Sequence, residues 1–384
     1  MADKFICPYC YERHTHKDCI YTCSYNIDGK KNNAQGVKKT CKFDFQKNPD
    51  GTIPFKYIGK CMKCDNAKLS RFCPSKRNGG KMWEIPERAC GNNFSVALIG
   101  AKQAGKSNYI AVLINEIKKK MSRNLDCSLI FCNQQTSDAY QQTYYKPLYE
   151  NATTVKGTDA NVESAPLIYS IDFFDTKSKS YKIKSSITLS LYDTAGENLD
   201  TETSMLCNNQ YIANASGIIV LLDPLQLPSI RDRLKGKVDL PEQNSDVTDI
   251  LRRVINIIKD RKKIKGCIDI PIALAFTKMD VLARYDVLPE DSCLRVQSEH
   301  VAKGAFVKND FENTNIEIEA LLENFMVDEV MQLLKQFSKH AFFGVSALGE
   351  NPVGGSQLMG EPQPVRVLDP LLWLLSMKKY IKTI

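Results

Sequence analysis

Three short stretches of this 384-residue chain have residue types and spacings that can do chemistry together. The first is Gly100-Ala101-Lys102-Gln103-Ala104-Gly105-Lys106-Ser107, followed by Asn108. Its two glycines let the backbone bend so that N–H groups point inward at phosphate oxygens, and a helix that begins there adds a favourable dipole. Lys106 can then reach the β- and γ-phosphates, and Ser107 can offer its hydroxyl to Mg²⁺. The second stretch is Asp193-Thr-Ala-Gly196-Glu197. Here an acid can hold Mg²⁺ through water, and Gly196 lets a backbone N–H approach a γ-phosphate closely. The third is Thr277-Lys278-Met279-Asp280, which chooses the base. A carboxylate at Asp280 accepts from the N1–H and exocyclic amine of guanine, paired donors that adenine lacks. Ser346-Ala347-Leu348 is placed to touch the same base from the other side.

Each stretch needs an element to hold it, and the flanking sequence supplies one. Phe94-Ser-Val-Ala-Leu-Ile reads as a strand running into Gly100, and the apolar-periodic segment from Tyr109 to Lys120 as the helix leaving Ser107. Residues 166–174 and 181–193 alternate in the strand manner around a turn, a hairpin that delivers Asp193 to a strand end. The unbroken apolar runs 216–222 and 271–276 read as buried parallel strands, the second ending at Thr277. A last strand, 340–345, ends at Ser346. Helical apolar spacing predicts helices over 246–263, 317–337 and 368–382, with core-facing stripes. Residues 124–165 read as long, polar and irregular, and Gly354-Gly355 as a flexible connection.

Nine of the 14 cysteines precede Gly100: Cys7, Cys10, Cys19, Cys23, Cys41, Cys61, Cys64, Cys73 and Cys90. Clustered Cys-x-x-Cys pairs in a chain that starts with no export signal point to metal before disulfide, and to a cytoplasmic protein. Cys7/Cys10 and Cys61/Cys64 look like two knuckles able to close one tetrahedral Zn²⁺ site, as in a zinc ribbon. An equally defensible grouping puts Cys7 and Cys10 with Cys23 or Cys41, and Cys61 and Cys64 with Cys73 and Cys90. With His14 and His16 there are ligands enough for one or two zinc ions. Such a small module needs a staple of this kind.

Residues 1–94 carry 18 Lys and Arg against 9 Asp and Glu, whereas the rest is nearly balanced, 34 against 35. Basic pairs interleaved with aromatics leave nucleic-acid binding by this module open, although thiolates around zinc would cancel about half of the excess. A hydrophobic content of 43% with 25% charged residues excludes a disordered chain. No run approaches the roughly 18 apolar residues of a membrane span.

The order of these motifs at successive strand ends resembles the Ras-like (TRAFAC) P-loop GTPases over residues 94–384. The Cys-rich start, the long insertion before Pro166 and the ending Pro364-Val-Arg-Val-Leu-Asp-Pro-Leu-Leu-Trp-Leu-Leu375 are similar to the bacterial double-GTPase families of conflict and defence gene neighbourhoods. The resemblance implies an α/β fold: a GTPase domain at 93–384 with a mostly parallel sheet and one antiparallel hairpin strand, and insertions near 124–165 and 281–335. A small Cys-rich zinc-binding module would occupy 1–92. It implies GTP and GDP as ligands, Mg²⁺, slow hydrolysis, and partner proteins contacted in one nucleotide state. It further implies a first-switch threonine on Mg²⁺, for which Thr158 is the choice and Thr154 the reserve. Glu197 stands where many relatives place a water-orienting glutamine, and a carboxylate there, facing an anionic γ-phosphate, either repels it, acts as a base, or points elsewhere. Lys102 is a cation built into the loop. No arginine finger is assignable, since Arg231, Arg233, Arg252 and Arg253 have only the charge in common with one. A non-hydrolysing GTP-binding scaffold, or a zinc protein on nucleic acid gated by guanine nucleotide, are the rival readings.

Overall fold

The structure is a computed structural model; it describes residues 4–16, 18–23, 60–61, 67–75, 83–90, 93–101, 103–157, 165–175, 182–191, 210–242, 247–324 and 328–384. The chain divides into two compact units, Met1–Asn93 and Phe94–Ile384.

In the first unit, β1 (Phe5–Ile6) and β2 (Arg13–His14) form a small antiparallel hairpin that sets Phe5 opposite His14. A second sheet has the order β3-β5-β4, from β3 (Ile20–Cys23), β4 (Lys60–Cys61) and β5 (Ala67–Phe72). Its described interior is built from cysteines and aromatics around Arg71, which is only 2% exposed. The Arg71 guanidinium lies over the rings of Phe5 and Tyr21 and donates to Cys90 Sγ at 2.6 Å.

In the second unit a seven-stranded sheet has the order β12-β11-β10-β6-β9-β8-β7. Its strands are β6 (Asn93–Gly100), β7 (Cys127–Phe131), β8 (Leu167–Asp175), β9 (Lys182–Leu191), β10 (Gly217–Leu222), β11 (Ile272–Phe276) and β12 (His340–Gly344). Strands β6, β10, β11 and β12 are parallel, and β10 and β11 are buried at every residue, as continuous apolar runs between helical layers must be. Strands β8 and β9 form the expected antiparallel hairpin, with a bulge at Phe173 and Phe174. The apolar C-terminal helix packs so tightly on β10 that a Cβ on Gly217 would lie 2.6 Å from Leu374. The Tyr211 hydroxyl accepts from Leu98 N–H and donates to the Val96 carbonyl, anchoring residues 210–213 to β6.

The helices are α1 (Lys106–Glu116), α2 (Gln134–Ala139), α3 (Pro228–Leu234), α4 (Val247–Lys262), α5 (Met279–Arg284), α6 (Lys308–Asn324), α7 (Asp328–Leu334) and α8 (Asp369–Met377). Two expectations need correction. Residues 124–165 are not irregular in their described part: β7 adds an antiparallel strand at the sheet edge, and α2 continues as a π-helix through Tyr140–Glu150. The many Gln and Thr residues hid an aromatic stripe. Tyr140 and Tyr144 are buried, and Tyr140 packs against Phe131 and Tyr169 and donates to the Ala111 carbonyl. Asn133 caps the start by accepting from Thr136 N–H. The helix expected at 317–337 is instead α6, which starts at Lys308, and the separate α7.

Residues 293–310 are tied to the start of α8 by a buried cation. Arg366, 2% exposed, binds Asp310 with both terminal nitrogens at 2.9 and 3.0 Å, Asp369 at 3.0 Å, and the Cys293 carbonyl through Nε. His300 accepts from Val307 N–H at Nδ1 and turns Nε2 toward both carboxylates, at 3.6 and 3.9 Å. Burial lowers the imidazole's pKa below its usual value and keeps it neutral. Arg366 supplies this pocket's cation, and a metal ion there would compete with it. Replacing one partner strands buried charge, so Arg366→Met should cost about 3–5 kcal/mol, read as a lowered urea midpoint. An unchanged midpoint would show that the network does not hold residues 293–310 to α8.

Candidate guanine-nucleotide site

The carboxyl ends of β6, β11 and β12 open onto one cavity of about 740 Å³. This is the size range of a small-molecule cleft. The loop after β6 reaches helical backbone through Gly105, whose φ of 83° is left-handed and suits glycine. Gln103 also takes a left-handed φ, of 66°, on the exposed rim. Lys106 is buried at the first turn of α1 and donates to the Gly100 carbonyl at 3.1 Å. Ser107 and Asn108 follow it on the cavity wall, half-buried.

At the other end, Thr277 closes β11 by donating its N–H and hydroxyl to the Leu222 carbonyl. Lys278 adopts φ 55° and pairs with Asp223, which is buried at the end of β10 and accepts from Leu225 N–H. That turn places Asp280 in the first turn of α5, where it accepts from the Ser346 hydroxyl at 2.6 Å. The same Ser346 oxygen accepts from Gly349 N–H, and the Ser346 backbone bridges Val365. Burial raises the Asp280 pKa above the ordinary carboxylate value, against the pull of the Ser346 hydrogen bond.

Of the residues expected at the site, Gln103, Ala104, Gly105, Lys106, Ser107, Asn108, Thr277, Lys278, Asp280, Ala347 and Leu348 line the one cavity. Gly100 and Ser346 stand directly behind it, and Thr154, the reserve threonine, lines it. Lys102, Thr158, Asp193, Gly196 and Glu197 lie outside the described residues, as do Cys41 and Cys64. Sequence reasoning missed Asp223, although its place at the end of a buried apolar run was the available signal. It also missed a further wall, residues 350–352 with Gly355 and Ser356, which carries no recognisable motif.

In the first unit the ligand atoms of Cys7, Cys10, His14 and Cys73 all lie within 4.8 Å of one another, and all four residues are buried. Neither grouping expected from spacing has this form. The β1–β2 hairpin folds His14 back beside the Cys7/Cys10 turn, and Cys73 follows directly from β5. Cys10 Sγ and His14 Nε2 are 3.1 Å apart. Donor atoms about 2.3 Å from a tetrahedral zinc stand roughly 3.8 Å from each other, so three sulfurs and an imidazole at this spacing suit Zn²⁺. Among the described residues, Cys19, Cys23, Cys61 and Cys90 join no such group.

A family profile described as Double-GTPase 2 matches residues 95–335. Over 307 residues the chain is 25% identical to the Mycolicibacterium smegmatis protein named "Putative ESX-1 scaffolding and assembly protein SaeC", covering 74% of this chain and 75% of that one. Among solved structures, the signal recognition particle receptor SRb-GTP/SRX complex of Chaetomium thermophilum aligns at 16% identity and a TM-score of 0.31, over 69% of this chain and 95% of that one. The GTP-bound GTPase-like domain of S. cerevisiae Ski7 aligns at 15% and 0.33, over 74% and 50%. The sheet order, the motifs gathered at its strand ends and the profile match over most of the second unit agree. The chain belongs to the Double-GTPase 2 family of guanine-nucleotide-binding P-loop proteins.

Proposed function

We propose that the protein is a switch that binds GTP and GDP with Mg²⁺, hydrolyses GTP slowly, and engages partner proteins in one nucleotide state. The observation that carries the reading is the pairing of Asp280 with Ser346 at the base end of a cavity whose other end is the glycine loop with Lys106. Lys106 is already inside, held on a carbonyl that phosphate oxygens would replace as its partner. Mg²⁺, which neutralises charge developing between the β- and γ-phosphates, would be held by the Ser107 hydroxyl with Asp193 and Thr158, Thr154 being the alternative. Gly196 would offer its N–H to the γ-phosphate, and its release after hydrolysis would free the second switch.

Glu197 sets the rate in this reading, since a carboxylate beside the γ-phosphate repels rather than orients. Single-turnover release of phosphate from labelled GTP should be slow in the isolated protein and faster for Glu197→Gln. Fast release by the unmodified chain would contradict this role. A second reading, a GTP-loaded scaffold that does not hydrolyse, draws on the name of the mycolicibacterial relative. It predicts no phosphate release above the uncatalysed rate, with or without partners.

The first unit would hold Zn²⁺ through Cys7, Cys10, His14 and Cys73. Burial holds the Cys7 thiol well above its ordinary pKa while hydrogen bonds from Cys10 and Cys7 pull Cys73 below it, and a bound cation would stabilise the sulfurs as thiolates. Cys23 and Cys61 remain candidates for a second ion. Among the described residues no helix is long and apolar enough to cross a membrane.

A further inference from the structure

The wall that carries no motif is more than a lining. It starts at the base end, immediately after Leu348, and turns at Val353–Gln357, where Gly354 and Gly355 take φ values of 58° and 76°. It then pairs with the segment that leads into the first switch. Thr154 N–H donates to the Ser356 carbonyl at 2.8 Å, and Leu358 N–H donates to the Ala152 carbonyl at 2.8 Å. The Gln357 side-chain amide adds a third bond to that carbonyl, at 3.0 Å. These bonds flank an antiparallel bridge between Thr153 and Gln357. On its other side the same segment is held at the phosphate end, where the Asn108 side chain, next to Ser107, accepts from Val155 N–H at 2.8 Å.

We propose that residues 349–358 are a strap that closes the nucleotide cavity along its length and positions the first-switch segment, so that guanine nucleotide enters and leaves only when the 152–154/356–358 pairing opens. The strap runs from the base loop to a segment fixed beside the phosphate loop, and the part of a nucleotide lying between those ends is the ribose. Its bonds to the switch are few: those of Ser356 and Gln357 lie at the surface, where Gly355, Ser356 and Gln357 are exposed, and Leu358, which is buried, anchors the far end. A clasp of this kind opens at modest cost, unlike the sheet behind it. Two glycines with left-handed φ permit the sharp turn, and Val353, 60% exposed, sits at its start.

This proposal rests on the nucleotide-site reading, and one experiment separates the two. Thr153 and Gln357 face each other as a non-hydrogen-bonded antiparallel pair, the geometry in which Cα atoms approach most closely and a cross-strand disulfide fits. The full-length double variant Thr153→Cys/Gln357→Cys would be loaded with fluorescent mant-GDP while reduced, then oxidised, and release followed on adding excess GDP. Wild type and each single variant, treated identically, control for oxidation elsewhere. We expect release from the oxidised double variant to be on the order of tenfold or more slower than from its reduced form, because lost opening appears in the off-rate. Gln357→Ala, which loosens the clasp without touching the cavity wall, should release faster than wild type. Equal release from reduced and oxidised forms, with the disulfide confirmed by mass, would overturn the strap. Failure of the disulfide to form would overturn the pairing itself. If the reduced protein bound no guanine nucleotide, the site reading would fall, and the strap with it.

Discussion

Asp280→Ala should lower affinity for GDP by roughly 10²- to 10⁴-fold while leaving the weak affinity for ATP nearly unchanged. The magnitude follows from two charge-assisted hydrogen bonds, each worth about 1.5–3 kcal/mol, at tenfold per 1.4 kcal/mol. The carboxylate is already oriented: one oxygen takes the Ser346 hydroxyl, leaving the group's remaining lone pairs to a base edge. Adenine presents no matching pair of donors, so its binding has nothing to lose. The pH dependence has a definite sign. Burial raises the Asp280 pKa. Below that pKa the carboxyl is neutral and carries a proton where guanine N1–H needs an acceptor. Guanine affinity of the empty protein should therefore fall on acidification at a pH above the ordinary carboxylate range of about 4, and Asp280→Ala should abolish that dependence. Titration calorimetry with GDP and ATP across pH checks both parts. Indifference of the wild type between the two bases would mean that Asp280 does not read guanine.

Cys73→Ser should remove one equivalent of zinc from the purified protein and unfold the first unit, whereas His14→Cys, which keeps a four-donor set, should retain the metal. The effect is large because a structural zinc site contributes about 10–16 kcal/mol of binding free energy, which in such a module is folding free energy. Among the described residues of that unit, Phe5, Tyr11, Leu69, Ile85 and Ala89 are the buried apolar side chains besides the cysteines, and Arg71 is buried with them. Metal content by mass spectrometry, with Co²⁺ replacement showing thiolate-to-metal absorption, measures occupancy and ligand type. Protease sensitivity of residues 1–93 measures the fold. Retention of full zinc by Cys73→Ser would show that the metal uses another set, such as Cys61 and Cys64 with Cys23 or Cys41.

The two sites differed in how far they could be read in advance, and the cause is the range of the interactions involved. Gly105, Lys106 and Ser107 act within one turn of backbone, and Thr277 to Asp280 within another, so four or eight adjacent residues specify each. The Cys7/Cys10/His14/Cys73 group spans residues 7–73, and spacing favoured the visible knuckle at Cys61/Cys64 over a cysteine brought in by a strand. Residues 134–150 were misread for a related reason: among Gln and Thr, Tyr140 and Tyr144 form a buried pair, and Tyr140 is covered by Phe131 and Tyr169, which come from β7 and β8.

By itself, then, the sequence determined the class of chemistry and the strands that carry it, whereas the edge strand β7 and the order of the sheet came from the fold. Phosphate loops and base-reading carboxylates are local, and the short continuously apolar runs of β10 and β11 read as the buried parallel strands they are. Tertiary structure alone decided what closes around that chemistry. The strap at 349–358, the Arg366 cluster joining residues 293–310 to α8, and the Cys7/Cys10/His14/Cys73 group each join residues dozens to hundreds of positions apart. No periodicity or spacing records such contacts. They are chosen by which buried donors, acceptors and charges must find a partner once the core has formed.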